Sequence, residues 1–284
     1  MAARGPAAVL MALLLGGCAP ESTVPHSPAP SSLTAVAVAS ATPRGSASPS
    51  ASRSTATPSA SPTAANPLAG RTIVIDPGHN GGWTAKYGYQ KVPDGNGHLK
   101  ACNSSGTATR GGYSEHAYDW AQAKALAEVL RKRGATVRLT RSSDRGQGPC
   151  VDRRATLANA LHADLLISIH ADGNTGKTHR GFHVIMSPVM HGGKAVYAKS
   201  KKLAADVRAA VQHGAGMPRS NYIGGGTAFS VRSDLGTLNF AKVPAVMMEM
   251  GNMMNAADAK LFISSSWRAR TATALADGIQ KFLG

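Results

Sequence analysis

The sequence predicts a single α/β domain: a doubly wound, mainly parallel (mixed) sheet flanked by helices. Three observations carry this. Short apolar runs, IVI at 73–75, LLISI at 165–169 and AVMM at 245–248, are continuous rather than alternating, as in strands buried on both faces. Stretches with helical spacing lie between them, and strands alternating with helices build parallel sheets. Each run also leads to a polar side chain, His79, His170 or Glu249. All three are therefore expected at the C-terminal edge of the strands, where open α/β sheets bind ligands.

The first strand stops at Pro77 and Gly78 and delivers His79. Residues 80–113 follow with eight glycines and no sustained period, which predicts a long functional loop. A short hairpin is expected to turn at 94–97. The segment leaves at His79 and returns just before Glu115, so it is expected to form a mobile flap over the site. Ser114 is the expected N-cap of an amphipathic helix, in which Ala117, Trp120, Ala121, Leu126, Val129 and Leu130 repeat at helical spacing before Gly134. Glu115 then falls in its first turn. Residues 135–140 read as a second strand, 151–161 as a helix, 164–170 as the third strand and 181–186 as another. A basic helix at 193–212 and the Gly-rich link NYIGGGTAF precede a strand-like or irregular stretch, the strand PAVMMEM, and helices at 255–263 and 265–282.

The first 66 of the 284 residues are not expected to fold. Residues 1–17 carry one positive charge, Arg4, then an apolar core at 7–15, and end at the LGGC that contains Cys18. This is the pattern of a bacterial lipoprotein signal peptide. Its apolar part is far shorter than the roughly 20 residues of a membrane span. Lipidation at Cys18 would anchor an exported protein to the outer face of the cell membrane, or leave it secreted if cleavage occurs without lipid. Residues 19–66 hold 12 Ser, 12 Ala, 8 Pro and 6 Thr, too few large apolar side chains to bury, so 18–66 reads as a disordered linker. Fully extended it reaches roughly 150 Å. The catalytic domain is expected at 67–284, which is long enough for one sizeable core.

That domain carries 28 Lys plus Arg against 14 Asp plus Glu, a balance that favours polyanions such as anionic wall polymers. No helix-turn-helix, zinc-finger or RNA-binding signature accompanies the charge, and the export signal argues against nucleic acid. Cys102 and Cys150 form a natural disulfide pair in an oxidising compartment, with two free buried thiols as the alternative. Nothing in the pattern sets an oligomeric state.

A catalytic zinc site needs three imidazole or carboxylate ligands and an open position. His79, Glu115 and His170 supply that set, 36 and 55 residues apart, so the fold must assemble it. Each alone has a plainer reading: a polar strand end for either histidine, a favourable charge at a helix N-terminus for Glu115. Glu249 interrupts an otherwise apolar strand, where a carboxylate is costly without a partner. A proton-transfer role beside an activated water would account for it; an arginine salt bridge is the alternative. His116, His162, His183 and His191 read as surface or helix residues.

Taken together, IVIDPGHNGG, the helix opened by Glu115, ANALHADLLISIHADG and VPAVMMEMGNMMN resemble the zinc-dependent N-acetylmuramoyl-L-alanine amidases of type 3, over residues 71–284. The resemblance implies peptidoglycan as substrate and hydrolysis of the amide between N-acetylmuramic acid and the L-alanine of the stem peptide. It also implies one zinc ion on His79, Glu115 and His170, with Glu249 as the catalytic glutamate. Asp172 and Gly173 depart from the usual pattern, as does the insertion containing Cys102. Another zinc hydrolase of the wall, or a binding protein that keeps the fold without turnover, remains open at this stage.

Overall fold

The structure, a computed structural model, describes residues 66–284. The expected signal peptide, Cys18 and the linker up to residue 65 lie outside the described residues. Among the described residues no helix is long and apolar enough to cross a membrane.

In chain order the elements are β1 (Thr72–Pro77), α1 (Ala85–Gly88), β2 (Lys91–Pro93), β3 (Leu99–Ala101), α2 (Glu115–Lys132), β4 (Thr136–Leu139), α3 (Arg154–Ala160) and β5 (Leu165–Asp172). They continue as β6 (His183–Met186), α4 (Gly193–Gly214), β7 (Phe229–Val231), α5 (Gly236–Asn239), β8 (Ala245–Asn252), α6 (Ala256–Phe262) and α7 (Ser265–Leu283). Six strands form one sheet in the order β4-β1-β5-β8-β6-β7. All neighbours are parallel except β6 and β8. The expected mixed, mainly parallel α/β sheet is borne out.

Because successive strand residues face opposite sides, the apolar runs feed two cores. Ile73, Ile75, Leu165, Ile167, Val246 and Met248 pack with Leu126 and Leu130 of α2, Leu203 and Val207 of α4, and Leu275 and Ile279 of α7. The alternate residues Val74, Leu166, Ala245 and Met247 pack with Ala155 and Ala158 of α3 and Leu238 of α5. Asp76, Ser168, His170 and Glu249 have the parity of this second set. Where the apolar residues run out at the C-terminal ends of β1, β5 and β8, that face therefore becomes polar.

Ser114 occupies the expected N-cap of α2; its side chain makes no capping bond, and the N–H of Glu115 reaches the carbonyl of Thr107 at 2.8 Å. One expectation needs correction: the segment 80–113 is not an element-free loop. It contains α1 and the β2–β3 hairpin, whose turn falls at the expected 94–97. Its return is pinned by Cys102 N–H to Gln90 O at 2.7 Å, Asn103 N–H to Gly88 O at 3.1 Å and Trp83 Nε1–H to Asn103 O at 3.2 Å. Its glycines serve turns and close approaches within a bonded wall.

Candidate metal centre

Asp76 is the penultimate residue of β1, and it is fully buried. Arg154, itself 1% exposed, donates to Asp76 Oδ1 at 2.9 Å and to the carbonyls of Pro77 at 2.8 Å and His79 at 3.0 Å. Ser168 Oγ donates to Asp76 Oδ2 at 2.6 Å, and Thr140 Oγ1 donates to Oδ1. Burial alone pushes the Asp76 carboxyl up, but Arg154 and the two hydroxyls more than offset it and hold it below its ordinary value. Arg141 adds bonds to the carbonyls of Pro77, Gly78 and His116. These two arginines hold the turn that presents His79, whose φ of +52° costs a non-glycine residue about 1–3 kcal/mol. Gly78 is required just before it: a Cβ there would lie 2.2 Å from Cε1 of His170.

Three side chains from three elements converge here. His79 Nε2 lies 3.0 Å from Glu115 Oε1, His170 Nδ1 lies 3.1 Å from the same oxygen, and the two ring nitrogens are 3.2 Å apart. The rings meet edge to face at 81°. His79 Nδ1 sits 3.0 Å from the carbonyl of Ser104, so it carries the proton and leaves the Nε2 lone pair facing inward. Glu115 is oriented by the N–H of Thr107 at 2.9 Å and of Ala171 at 3.2 Å. The 80–113 segment thus supplies Ser104 and Thr107 to the site, and at Gly106 a Cβ would crowd Glu115 and His79.

Burial would raise the Glu115 carboxyl, but both imidazoles outweigh it and hold it well below the usual range. Burial lowers the basicity of His170, against the bond from Glu115. Three donors of imidazole and carboxylate type facing one another at 3.0–3.2 Å are the set that would hold a single catalytic zinc ion. One turn along α2, Asp119 joins the set, the four ligating atoms lying within 4.8 Å of one another. It is fully buried, neither oxygen has a hydrogen-bond partner, and burial followed by the charges of Glu115 and Glu249 pushes its carboxyl far up.

Glu249 is the register partner of His170 across β5–β8. Its Oε2 has no partner. Burial, then the charges of Glu115 and Asp172, raise it well above a normal carboxyl, with Arg232 opposing. His79, Glu115, His170 and Glu249 line one cleft of about 460 Å³, whose walls also include Lys100, Asn103, Arg232 and Leu235.

The structure therefore brings together His79, Glu115 and His170, sets Glu249 in the same cleft, and joins Cys102 to Cys150 in a disulfide. His183 is not a surface residue: it is 4% exposed on β6, opposite Glu249 in register, and burial lowers its pKa to about 4. Asp76, Arg141, Arg154 and Asp119 were not singled out in the sequence. Two signals were there: a carboxylate ending a buried strand, and a second one four residues after Glu115 on the same helix face.

Comparison with known proteins decides the family. The sequence model described as N-acetylmuramoyl-L-alanine amidase matches residues 73–281. The chain belongs to that family, the type 3 N-acetylmuramoyl-L-alanine amidases. It is 42% identical over 217 residues to N-acetylmuramoyl-L-alanine amidase Rv3717 of Mycobacterium tuberculosis, covering 76% of this chain and 88% of that one. The crystal structure of the N-acetylmuramyl-L-alanine amidase Ami1 from Mycobacterium smegmatis superposes with a TM-score of 0.72 at 40% identity, covering 76% of this chain and 98% of that one. The apo form of Ami1 from Mycobacterium abscessus gives 0.72 at 39%, covering 76% and 100%. The chain is thus an enzyme of this amidase family, and its six-stranded α/β domain carries a candidate metal site at the sheet edge.

Proposed function

We propose that the domain hydrolyses the amide between the lactyl group of N-acetylmuramic acid and the L-alanine of the peptidoglycan stem peptide, with one zinc ion held by His79, Glu115 and His170. The observation that carries this reading is the triangle of three donors, 3.0–3.2 Å on each side, in a cleft that also holds a carboxylate with an unpartnered oxygen. Bound there, zinc supplies Lewis acidity toward the amide carbonyl and acidifies water.

The chain's own residues do the rest. Ser104 fixes the tautomer of His79, while Thr107 and Ala171 fix the Glu115 carboxylate. Glu249 takes a proton from the attacking water and returns it to the departing L-alanine nitrogen. A raised pKa suits both halves of that task, since it makes the carboxylate a stronger base and keeps the proton available for the leaving group.

The same reading places the enzyme outside the cell membrane. Its support is the N-terminal sequence pattern: a lipoprotein signal, lipid on Cys18, and 18–66 as a tether into the wall. Exposed Lys194, Lys199, Lys201 and Lys202 on α4 would favour anionic wall polymers as a second contact. The test of the metal assignment is zinc analysis of the full chain. His170→Ala should lose both zinc and hydrolysis, because two remaining ligands leave the site incomplete; full zinc content in that variant would overturn the assignment.

A further inference from the structure

We propose that Asp119 is a fourth protein ligand of the metal centre, closing it from the domain interior. This rests on the reading of His79, Glu115 and His170 as ligands and extends it. Asp119 lies four residues after Glu115 on α2, so the two carboxylates stack on one helix face. Its ligating oxygen lies within 4.8 Å of those of the other three residues.

Asp119 is fully buried and neither of its oxygens has a hydrogen-bond partner. The two nearby arginines do not supply one. Arg141 gives its N–H groups to the carbonyls of Pro77, Gly78, His116 and Ser143 and to Asp144. Arg154 gives its own to Asp76, Pro77, His79 and Asn80. A buried carboxyl with no bonds is costly, and the group in this structure that leaves it so has a cation site beside it.

Two ligands bound to one ion at about 2.1 Å each can lie no more than about 4.2 Å apart, so the four atoms need to draw together by less than an ångström. Asp119 has no hydrogen bond to break in doing so. Asp119 does not line the cleft, whereas the other three ligands do. Ligation by Asp119 would therefore leave the cleft side to water and substrate.

The experiment titrates the full-length chain with zinc alone, against a competing chelator, for the wild type, Asp119→Asn and His79→Ala. The Asn side chain keeps the shape of Asp, and the expected result is zinc binding weakened by about tenfold or more, a loss that removal of an outer-shell partner also produces, together with the change that marks a ligand, an altered visible spectrum when cobalt replaces zinc. Affinity within twofold of wild type, or an unchanged cobalt spectrum, overturns the inference. His79→Ala separates the two levels: if it loses zinc while Asp119→Asn does not, only the inference falls, and if both keep wild-type affinity the whole metal site is misread. Anomalous diffraction from zinc-loaded wild type covers the case of a variant that does not fold. An Asp119 oxygen about 2.0–2.2 Å from the ion supports ligation, and one beyond about 3 Å overturns it.

Discussion

Arg154→Met removes the cation that holds the His79 turn while keeping most of the side-chain volume. In the wild type Arg154 is 1% exposed and pairs with the fully buried Asp76 at 2.9 Å. After the change Asp76 keeps only the hydroxyls of Ser168 and Thr140. The carbonyl of Pro77 still accepts from Arg141, but that of His79 loses its Arg154 donor. Removing one partner of a buried pair costs about 3–5 kcal/mol, because the other charge is left uncompensated. For a domain of this size that is a fall in unfolding midpoint of roughly 6–20 °C. The assay is urea or thermal unfolding of the wild type, Arg154→Met, Asp76→Asn and the double variant. The double variant should lose about 0.5–3 kcal/mol less than the sum of the singles. The pH dependence has a definite sign: Asp76 is held below its ordinary 3.8, so its stabilisation is complete above that pH and disappears as pH falls through the lower folded value. The wild-type advantage over Arg154→Met should shrink as pH falls through that acid window. A loss under about 1 kcal/mol, or strict additivity, would refute the reasoning.

Replacing residues 84–108 by a short Gly-Ser turn should weaken zinc binding, because Ser104 and Thr107 orient His79 and Glu115; unchanged affinity by chelator competition would show that the segment only shapes the cleft. Glu249→Gln should keep zinc and lose turnover, whereas loss of zinc would make Glu249 a ligand instead. In the wild type the acid limb of the rate profile should lie above the ordinary carboxyl value of 4.5, since Glu249 must be ionised to act as base and its pKa is raised. A limb at or below 4.5 would contradict that role.

The fold was legible because the apolar runs at 73–75, 165–169 and 245–248 are buried on both faces, and such runs announce themselves without an alternating pattern. His79, His170 and Glu249 were legible for a related reason, each being a polar residue at the end of such a run. The hairpin turn at 94–97 was readable from its Asp and Gly residues, but the bonded wall formed by 80–113 was not. Its order comes from contacts such as Asn103 to Gly88 and Tyr87 Oη–H to the carbonyl of Gly148, which no local periodicity records. His183 was misjudged because β6 is four residues long and shows no pattern that separates a buried strand residue from an exposed one. Arg141 and Arg154 were invisible among 31 basic residues: only the sheet order, which sets β1 between β4 and β5, shows that both reach the backbone of the His79 turn.

The most direct measurement is mass spectrometry of the products that the zinc-loaded full chain releases from purified peptidoglycan. The account predicts free stem peptides beginning with an unblocked L-alanine amine, together with glycan strands whose muramic acid carries a free lactyl carboxyl, and neither product from Glu249→Gln. Peptides shortened at their C-terminal end, glycans lacking acetyl groups, or release of stem peptides by Glu249→Gln at the wild-type rate would contradict it.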